Sequence, residues 1–379
     1  MNILVDVRLL SRGGASGIEE YTRELLGAML ELDQKNKYQL FYSGLRKAAL
    51  TEFLNKHSKA STINWSIPNK ILDFSSRFLA EPKLERFFDF DVVFSPHFNV
   101  LATEKPRVIT FHDLSFIHHP HFFSRRQHIW HWLQDYKKQA GRASKIIAVS
   151  QFTKSDLVEL FHIPPEKITT IYSGISGGFR VLNKTNPGLA SFKLMHKLEK
   201  PFILYMGTLE PRKNVTALVR AFGLLKEEPQ FKDLQLVIAG GMGWLYDEVI
   251  REIRNSSFKN DIRLFGKVKA EERVFLYNLA EAFVYPSFFE GFGFPPLEAQ
   301  ACGVPVVASD RTSLPEILEK SALLIDPWRV DALGGAIKEV ITNRSRREEL
   351  VEAGLINVRR FSWKESAKMT LETLHEAGT

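Results

Sequence analysis

Ala282-Phe283-Val284-Tyr285-Pro286-Ser287-Phe288-Phe289-Glu290-Gly291-Phe292-Gly293-Phe294-Pro295-Pro296-Leu297-Glu298 is the stretch that decides the fold. Its first four residues form a short apolar run suited to a buried strand. Gly291 and Gly293 follow, where backbone can approach a ligand closely, and Pro295 has the fixed φ of a helix start. Strand, glycine loop and helix, in that order, is the repeating unit of a parallel sheet.

The same alternation extends in both directions. In the first half, strands are expected at Ile3–Val7, Tyr38–Tyr42, Val92–Phe94, Val108–Phe111, Lys145–Val149 and Ile168–Ile171. In the second half they are expected at Phe202–Met206, Gln235–Ala239, Ile262–Phe265, Ala282–Tyr285, Pro305–Ala308 and Ala322–Ile325. Helix-length segments such as Gly17–Leu32, Val215–Lys226 and Ala270–Leu279 lie between them. The pattern pauses at Val181–Pro201, where Asn183, Asn186, Pro187 and Gly188 read as loop. The reading is therefore α/β, with two doubly wound domains facing across a cleft: 1–182, 183–362 and a last helix over 363–379 that packs back on the first domain. Ligands of such sheets bind beyond the carboxyl ends of the strands, so the residues just after each strand carry the functional reading.

Composition bounds the answer without choosing it. The 379 residues suit two domains, and 44% hydrophobic with 25% charged residues is ordinary for a globular chain. Cys302 is the only cysteine, which excludes an intramolecular disulfide and a cysteine-cluster zinc site. Asp6 and Arg8 interrupt the first apolar run, so it does not read as a signal peptide, and no run of about 18 apolar residues occurs. A cytoplasmic location is expected. The net charge of +7 suits an anionic partner. No nucleic-acid module is recognisable, so nucleic acid is the least favoured of these.

Four constellations carry chemistry. Glu290 sits in the glycine loop and Glu298 about a turn into the following helix, so one carboxylate can hold sugar hydroxyls and the other a ribose diol. Gly207-Thr208-Leu209-Glu210-Pro211-Arg212-Lys213-Asn214 follows the strand Phe202–Met206, and its two cations could stabilise a departing diphosphate. Alone, that string reads equally as a helix-capping turn with two solvated bases. Gly13-Gly14-Ala15-Ser16-Gly17 follows the first strand, and by itself it is equally a flexible turn. Thr110-Phe111-His112-Asp113 places His112 at the carboxyl end of its strand. Gly240-Gly241 and Gly266-Lys267-Val268 fit loops lining a nucleotide, and Ser150 reads as a helix N-cap.

The two glutamates around Gly-Phe-Gly, followed by Glu298-Ala-Gln-Ala-Cys-Gly-Val-Pro-Val-Val-Ala-Ser309, strongly resemble the retaining GT-B glycosyltransferases of family 4. The resemblance implies a nucleotide-diphosphate sugar as co-substrate, no other cofactor and no metal. It implies that Glu290 contacts the donor sugar, Glu298 the ribose, and Arg212 and Lys213 the diphosphate. It places His112 near the reacting centre, Gly17 near the phosphates, and Lys267 and Val268 against the base. Gly207, Gly291, Phe292, Gly293, Phe294 and Leu297 complete the implied donor site. Thr208 departs from the pattern, since many members carry a base directly after the glycine. Gly-Thr-Leu-Glu-Pro-Arg-Lys-Asn with Phe-His-Asp-Leu-Ser-Phe looks most like bacterial mannosyltransferases of surface-polysaccharide assembly, which implies GDP-mannose first and a UDP-hexose next. A nucleotide-sugar epimerase of the same two-domain plan and a non-catalytic sugar-binding protein are the other classes kept open.

Asp89-Phe90-Asp91 matches a short metal-binding motif but precedes its strand, at the end away from the cleft. His118, His119, His121, His128 and His131 have no familiar zinc spacing and read as surface or acceptor-side residues. Arg125, Arg126, Lys137, Lys138, Arg142 and Lys145, interleaved with Phe122, Phe123, Trp130 and Trp132, suit peripheral contact with an anionic membrane, and equally a solvated helix face with its aromatics in the core. The acceptor is expected to be a glycan or a lipid-linked sugar.

Overall fold

The computed structural model describes residues 1–12, 17–44, 53, 57 and 60–378, and of residues 11 and 12 the backbone alone. The chain forms two units. Residues 1–118, 125–174 and 362–379 make the first, and 119–124 with 175–361 make the second. The chain thus changes unit at 174/175 rather than at the expected 182/183, and 119–124 count with the second unit.

The first unit is built on seven parallel strands in the order β3-β2-β1-β4-β5-β6-β7. These are β1 (Asn2–Asp6), β2 (Lys37–Ser43), β3 (Ala60–Trp65), β4 (Val92–Ser95), β5 (Arg107–Phe111), β6 (Lys145–Ala148) and β7 (Ile168–Thr170). The central strands are near-continuous apolar runs because helices cover both faces. Ile3, Leu4, Val93, Phe94, Val108 and Phe111 are fully buried. β3 was not expected. It lies at the sheet edge beside β2, where Ser61, Thr62 and Asn64 face water, so its apolar signal is weak. The helix Trp363–Gly378 packs against the helix Gly17–Leu32. Gly174 is needed beside the first residue of that last helix: a Cβ there would stand 2.1 Å from the Trp363 backbone nitrogen.

The second unit carries six parallel strands in the order β10-β9-β8-β11-β12-β13. They are β8 (Phe202–Met206), β9 (Gln235–Ala239), β10 (Ile262–Gly266), β11 (Ala282–Tyr285), β12 (Val306–Ser309) and β13 (Leu323–Ile325). All of β8, β11 and β12 is buried. The stretch read as a loop, Val181–Pro201, holds the helix Pro187–Met195. Its loop-like residues are the start signal: the Asn186 side chain accepts from Leu189 N–H at 3.1 Å, and Pro187 takes the first turn.

Both sheets are doubly wound. From β8 the chain moves outward through β9 and β10; from β11 it moves the other way through β12 and β13. The loops after β8 and β11 therefore part at the middle of the sheet, which is where such folds leave a ligand crevice.

Candidate functional site

That parting point in the second unit gathers two cations and two carboxylates. Pro211–Lys213 forms a single 3-10 turn after β8 and ends at Asn214, in the left-handed region at φ 54°. Asn214 tolerates that conformation and uses it: its Nδ2 donates to the Pro286 carbonyl (3.1 Å) and the Pro327 carbonyl (2.8 Å). The β8 loop is thereby tied to the loops after β11 and β13. A further bond runs from Phe288 N–H to the Arg212 carbonyl at 2.9 Å.

Lys213 Nζ donates to Glu290 Oε1 at 2.6 Å and to the Tyr285 hydroxyl at 2.7 Å. Arg212 Nη1 donates to Glu290 Oε2 (3.2 Å) and to the Phe289 carbonyl (2.9 Å), while its Nε and Nη2 reach Glu210 Oε1. Glu210, Lys213 and Glu290 are buried. Burial alone would raise the Glu290 carboxyl, but the Lys213 and Arg212 charges outweigh it and hold the group below the usual carboxylate range. Burial, aided by Arg212, draws the Lys213 ammonium below its ordinary value despite its two acidic neighbours. Burial and the Glu290 charge push the Tyr285 phenol far up, so it stays neutral. Two positive and two negative groups thus offset one another in a largely buried site, where an added phosphate would compete with the carboxylates for the same donors.

The Glu290 loop is held from behind by the turn after β12. Thr312 Oγ1 accepts from Glu290 N–H at 3.0 Å, and Ser313 Oγ bonds the Glu290 carbonyl at 2.9 Å. Gly293 sits at φ 101° as the cap of the helix Phe294–Ala301, with Pro295 in its first turn. Glu298, five residues after Gly293, faces the helix Ala270–Leu279: Oε1 accepts from Arg273 Nη1 (3.0 Å) and Oε2 from the Tyr277 hydroxyl (2.7 Å). The two glutamates thus engage different partners, Glu290 in the charged cluster and Glu298 with Arg273 and Tyr277. Gly291 and Phe292 are buried, and Leu297 is fully buried in the core. Phe292 meets Phe294 edge-on at 5.1 Å. Lys267 is exposed and Val268 half-buried, just beyond the edge strand β10.

Gly207 N–H donates to the Ala239 carbonyl at 2.9 Å, and Leu209 N–H to that of Gly241 at 2.9 Å. A Cβ on Gly240 would stand 1.9 Å from the Gly207 oxygen. The Gly240-Gly241 pair therefore has a structural task, letting the loop after β9 run against the cation-bearing loop.

In the first unit, His112 follows β5 and its Nε2–H donates to the Pro96 carbonyl at 2.8 Å. Burial pushes the imidazole down to about 4, so it is neutral near pH 7. Tyr21 of the helix Gly17–Leu32 meets it edge-on (4.7 Å) and His97 stacks on it (6.1 Å). Gly17 opens that helix and is exposed. Gly13, Gly14, Ala15 and Ser16 lie outside the described residues.

The other singled-out residues serve local structure. Ser150 Oγ accepts from Thr153 N–H as the cap of the helix Gln151–Phe161. Asp91 Oδ2 accepts from Asn2 N–H (2.7 Å) and Asp89 Oδ2 from Asn2 Nδ2 (3.3 Å), at the amino ends of β1 and β4. His118 pairs with Asp156 at 2.9 Å and His131 stacks on Phe116. No group of three histidine, cysteine or acidic side chains is placed to hold a metal ion among the described residues, and no helix among them is long and apolar enough to cross a membrane. Of the four basic-region rings, Phe122 is buried, Phe123 and Trp130 are half-buried, and Trp132 is exposed.

Sequence reasoning missed Glu210, Tyr285, Asn214, Thr312, Ser313 and His97. Tyr285 reads as core, being the last residue of an apolar strand. Glu210, two residues before Arg212, had a signal in that spacing.

Residues 189–355 match the family model described as glycosyl transferases group 1, and residues 15–176 match glycosyltransferase family 4. The O-antigen chain mannosyltransferase B of Escherichia coli is 34% identical over 73% of this chain and 72% of its own length. The serotype-specific mannosyltransferase WbdA of Escherichia coli is 30% identical over 61% of this chain, but the match spans only 28% of WbdA. Among solved structures, Anabaena HepE in complex with UDP and glucose superposes with a TM-score of 0.77 at 19% identity, covering 99% of both chains. Sucrose-phosphate synthase from Thermosynechococcus elongatus superposes equally well, at 0.77 and 18% identity over 99% of this chain and 98% of that one. At those identities the structural likeness speaks to the two-domain α/β fold.

Proposed function

We propose that this chain, which belongs to the group 1 and family 4 glycosyltransferases, transfers a mannosyl group from GDP-mannose to a hydroxyl of a glycan or lipid-linked acceptor. The observation that carries the reading is the cluster of Arg212, Lys213 and Glu290 at the strand-order switch of the second sheet. The donor diphosphate takes hydrogen bonds from Arg212 and Lys213, whose donors are already gathered and partly desolvated there. Glu290, relieved of one or both cations, accepts from the sugar hydroxyls. Glu298 serves the ribose, and neutral His112 contacts the donor sugar by an uncharged hydrogen bond. The leaving phosphate accepts the acceptor proton on the face it departs from, so the anomeric configuration is retained. Two cations and loop N–H groups offset the diphosphate charge, and the reaction proceeds without a divalent ion.

Mannose is supported by the similarity to the O-antigen mannosyltransferases. A UDP-hexose is the second reading, motivated by the UDP and UDP-glucose held by the HepE structures. Calorimetric titration with GDP-mannose, UDP-glucose and UDP-galactose separates them. Selective binding of GDP-mannose is the expected result, and selective binding of a UDP-sugar would replace the donor.

The chain works at the cytoplasmic face of a membrane, held there by a surface of the first unit. The helices Asn69–Phe78 and Arg125–Gln134 adjoin, and Ile71, Phe74, Phe78, Ile129 and Trp132 are exposed on them. Phe78 lies 5.7 Å from Trp132, with the Arg77 guanidinium over both rings. Exposed Lys70, Arg125 and Arg126 add positive charge to this apolar surface, as an anionic bilayer favours.

A further inference from the structure

We propose that Trp328, packed at a tilt against Phe288, is a platform on which a sugar ring of the acceptor glycan binds; this rests on the transferase reading above. Trp328 follows β13 and is 66% exposed, yet its ring packs on a neighbouring ring and its loop backbone is anchored. The ring lies 4.2 Å from that of Phe288, and Phe288 stacks in turn on Phe122 at 5.7 Å. Trp328 N–H donates to Asp326 Oδ1 at 3.1 Å, and the preceding carbonyl, that of Pro327, accepts from Asn214 Nδ2. An indole held in place while still facing water keeps its contact area available and loses little conformational freedom on binding.

The surroundings select the ligand class. A pyranose presents C–H groups on one face and hydroxyls around its rim, which matches an aromatic face bordered by charged polar groups. Such groups are carried by the same loop and its neighbour: Asp326, which accepts from the Trp328 backbone N–H, is bridged to Asp310 by Arg311 at 3.1 Å each, and Arg329, next in the chain, pairs with Asp331. The platform is also joined to the transfer site. Phe288 N–H bonds the Arg212 carbonyl, and Asn214 directly follows Lys213. A nucleobase could stack on indole as well, but the sheet order argues for the acceptor. The diphosphate cations sit at β8 and β11, and the residues assigned to the base follow β10. Trp328 follows β13, at the opposite edge. A donor extending from the centre toward β10 leaves the β13 side to the second substrate.

The test uses the full chain, with GDP and mannotriose as probes. Saturation-transfer NMR in the presence of GDP should show mannotriose bound to the parent. Trp328→Ala should weaken it by about tenfold, the order expected for loss of one aromatic stacking contact. Trp328→Phe should recover most of the affinity, and calorimetry should find GDP binding to Trp328→Ala within about twofold of the parent. No mannotriose binding to a parent that binds GDP, or equal binding by Trp328→Ala, would overturn the platform. A loss of GDP affinity as large as that for mannotriose would assign the ring to the nucleotide. Failure of the parent to bind any nucleotide or nucleotide sugar would overturn the transferase reading instead.

Discussion

Lys213 Nζ stands 2.6 Å from Glu290 Oε1, so the ammonium we propose for a donor phosphate is engaged by the carboxylate we propose for the donor sugar. A donor that brings both groups can satisfy both partners at once. Under the proposed roles, the pair would link diphosphate binding to the presentation of Glu290.

Removing the cations should therefore remove catalysis. Replacing both Arg212 and Lys213 with Ala is expected to slow transfer by about a hundredfold or more, the cost of losing a preorganised transition-state partner. Initial rates on protein whose fold is verified by circular dichroism make the measurement. A double variant working at near the parent rate would remove both residues from the mechanism.

The two glutamates should separate cleanly. Glu290→Gln frees Lys213 and Arg212 from a counter-charge, so it should bind GDP at least as tightly as the parent while kcat falls steeply. Glu298→Ala should instead weaken GDP, by about tenfold if one charge-assisted ribose contact is lost. Titrating GDP against both variants checks this. Parent-like GDP affinity in Glu298→Ala would show that Arg273 and Tyr277, rather than a ribose, are that carboxylate's working partners.

His112 gives a pH signature. Its folded value of about 4 lies below the ordinary 6.5, so between those values the unfolded chain binds more protons and stability falls as pH falls. Glu290, also depressed, loses its contribution in the same direction, below the ordinary carboxylate value. His112→Gln should flatten the decline of Tm between pH 6.5 and 4. Some slope remains, because burial also pushes His131 down to about 4. An unchanged slope would show that His112 is not buried in neutral form.

The exposed rings of the first unit predict salt-sensitive vesicle binding. Sedimentation with phosphatidylglycerol vesicles should be strong at low salt and weaken as screening increases. Replacing Phe74, Phe78 and Trp132 together with Ser should abolish it. Equal sedimentation of parent and triple variant would move any membrane contact elsewhere.

Much of this was legible in the sequence, and the exceptions have physical causes. Phe202–Met206, Gln235–Ala239 and Ala282–Tyr285 were readable to the residue because strands covered on both faces are continuous apolar runs. β3 was not, because an edge strand carries Ser61, Thr62 and Asn64 toward water. The helix Pro187–Met195 was hidden by its own cap, since Asn186, Pro187 and Gly188 look alike in a loop and at a helix start. In the site, Arg212, Lys213 and Glu290 stood out by spacing and strand context. Their mutual pairing did not, because loops 77 residues apart meet only once β8 and β11 lie side by side. Aromatic exposure was least readable: Trp130 and Trp132 differ only in the side of the helix they occupy.

The most direct test of the account follows the sugar itself. GDP-mannose labelled with ¹³C at the anomeric carbon is incubated with the parent chain, a mannosyl acceptor and excess chelator, and the product is examined by NMR. The account predicts full transfer activity and an α-linked product from the α-linked donor, with the diphosphate charge offset by Arg212 and Lys213. Activity lost to the chelator and restored by Mg²⁺ or Mn²⁺, or a β-linked product, would contradict it.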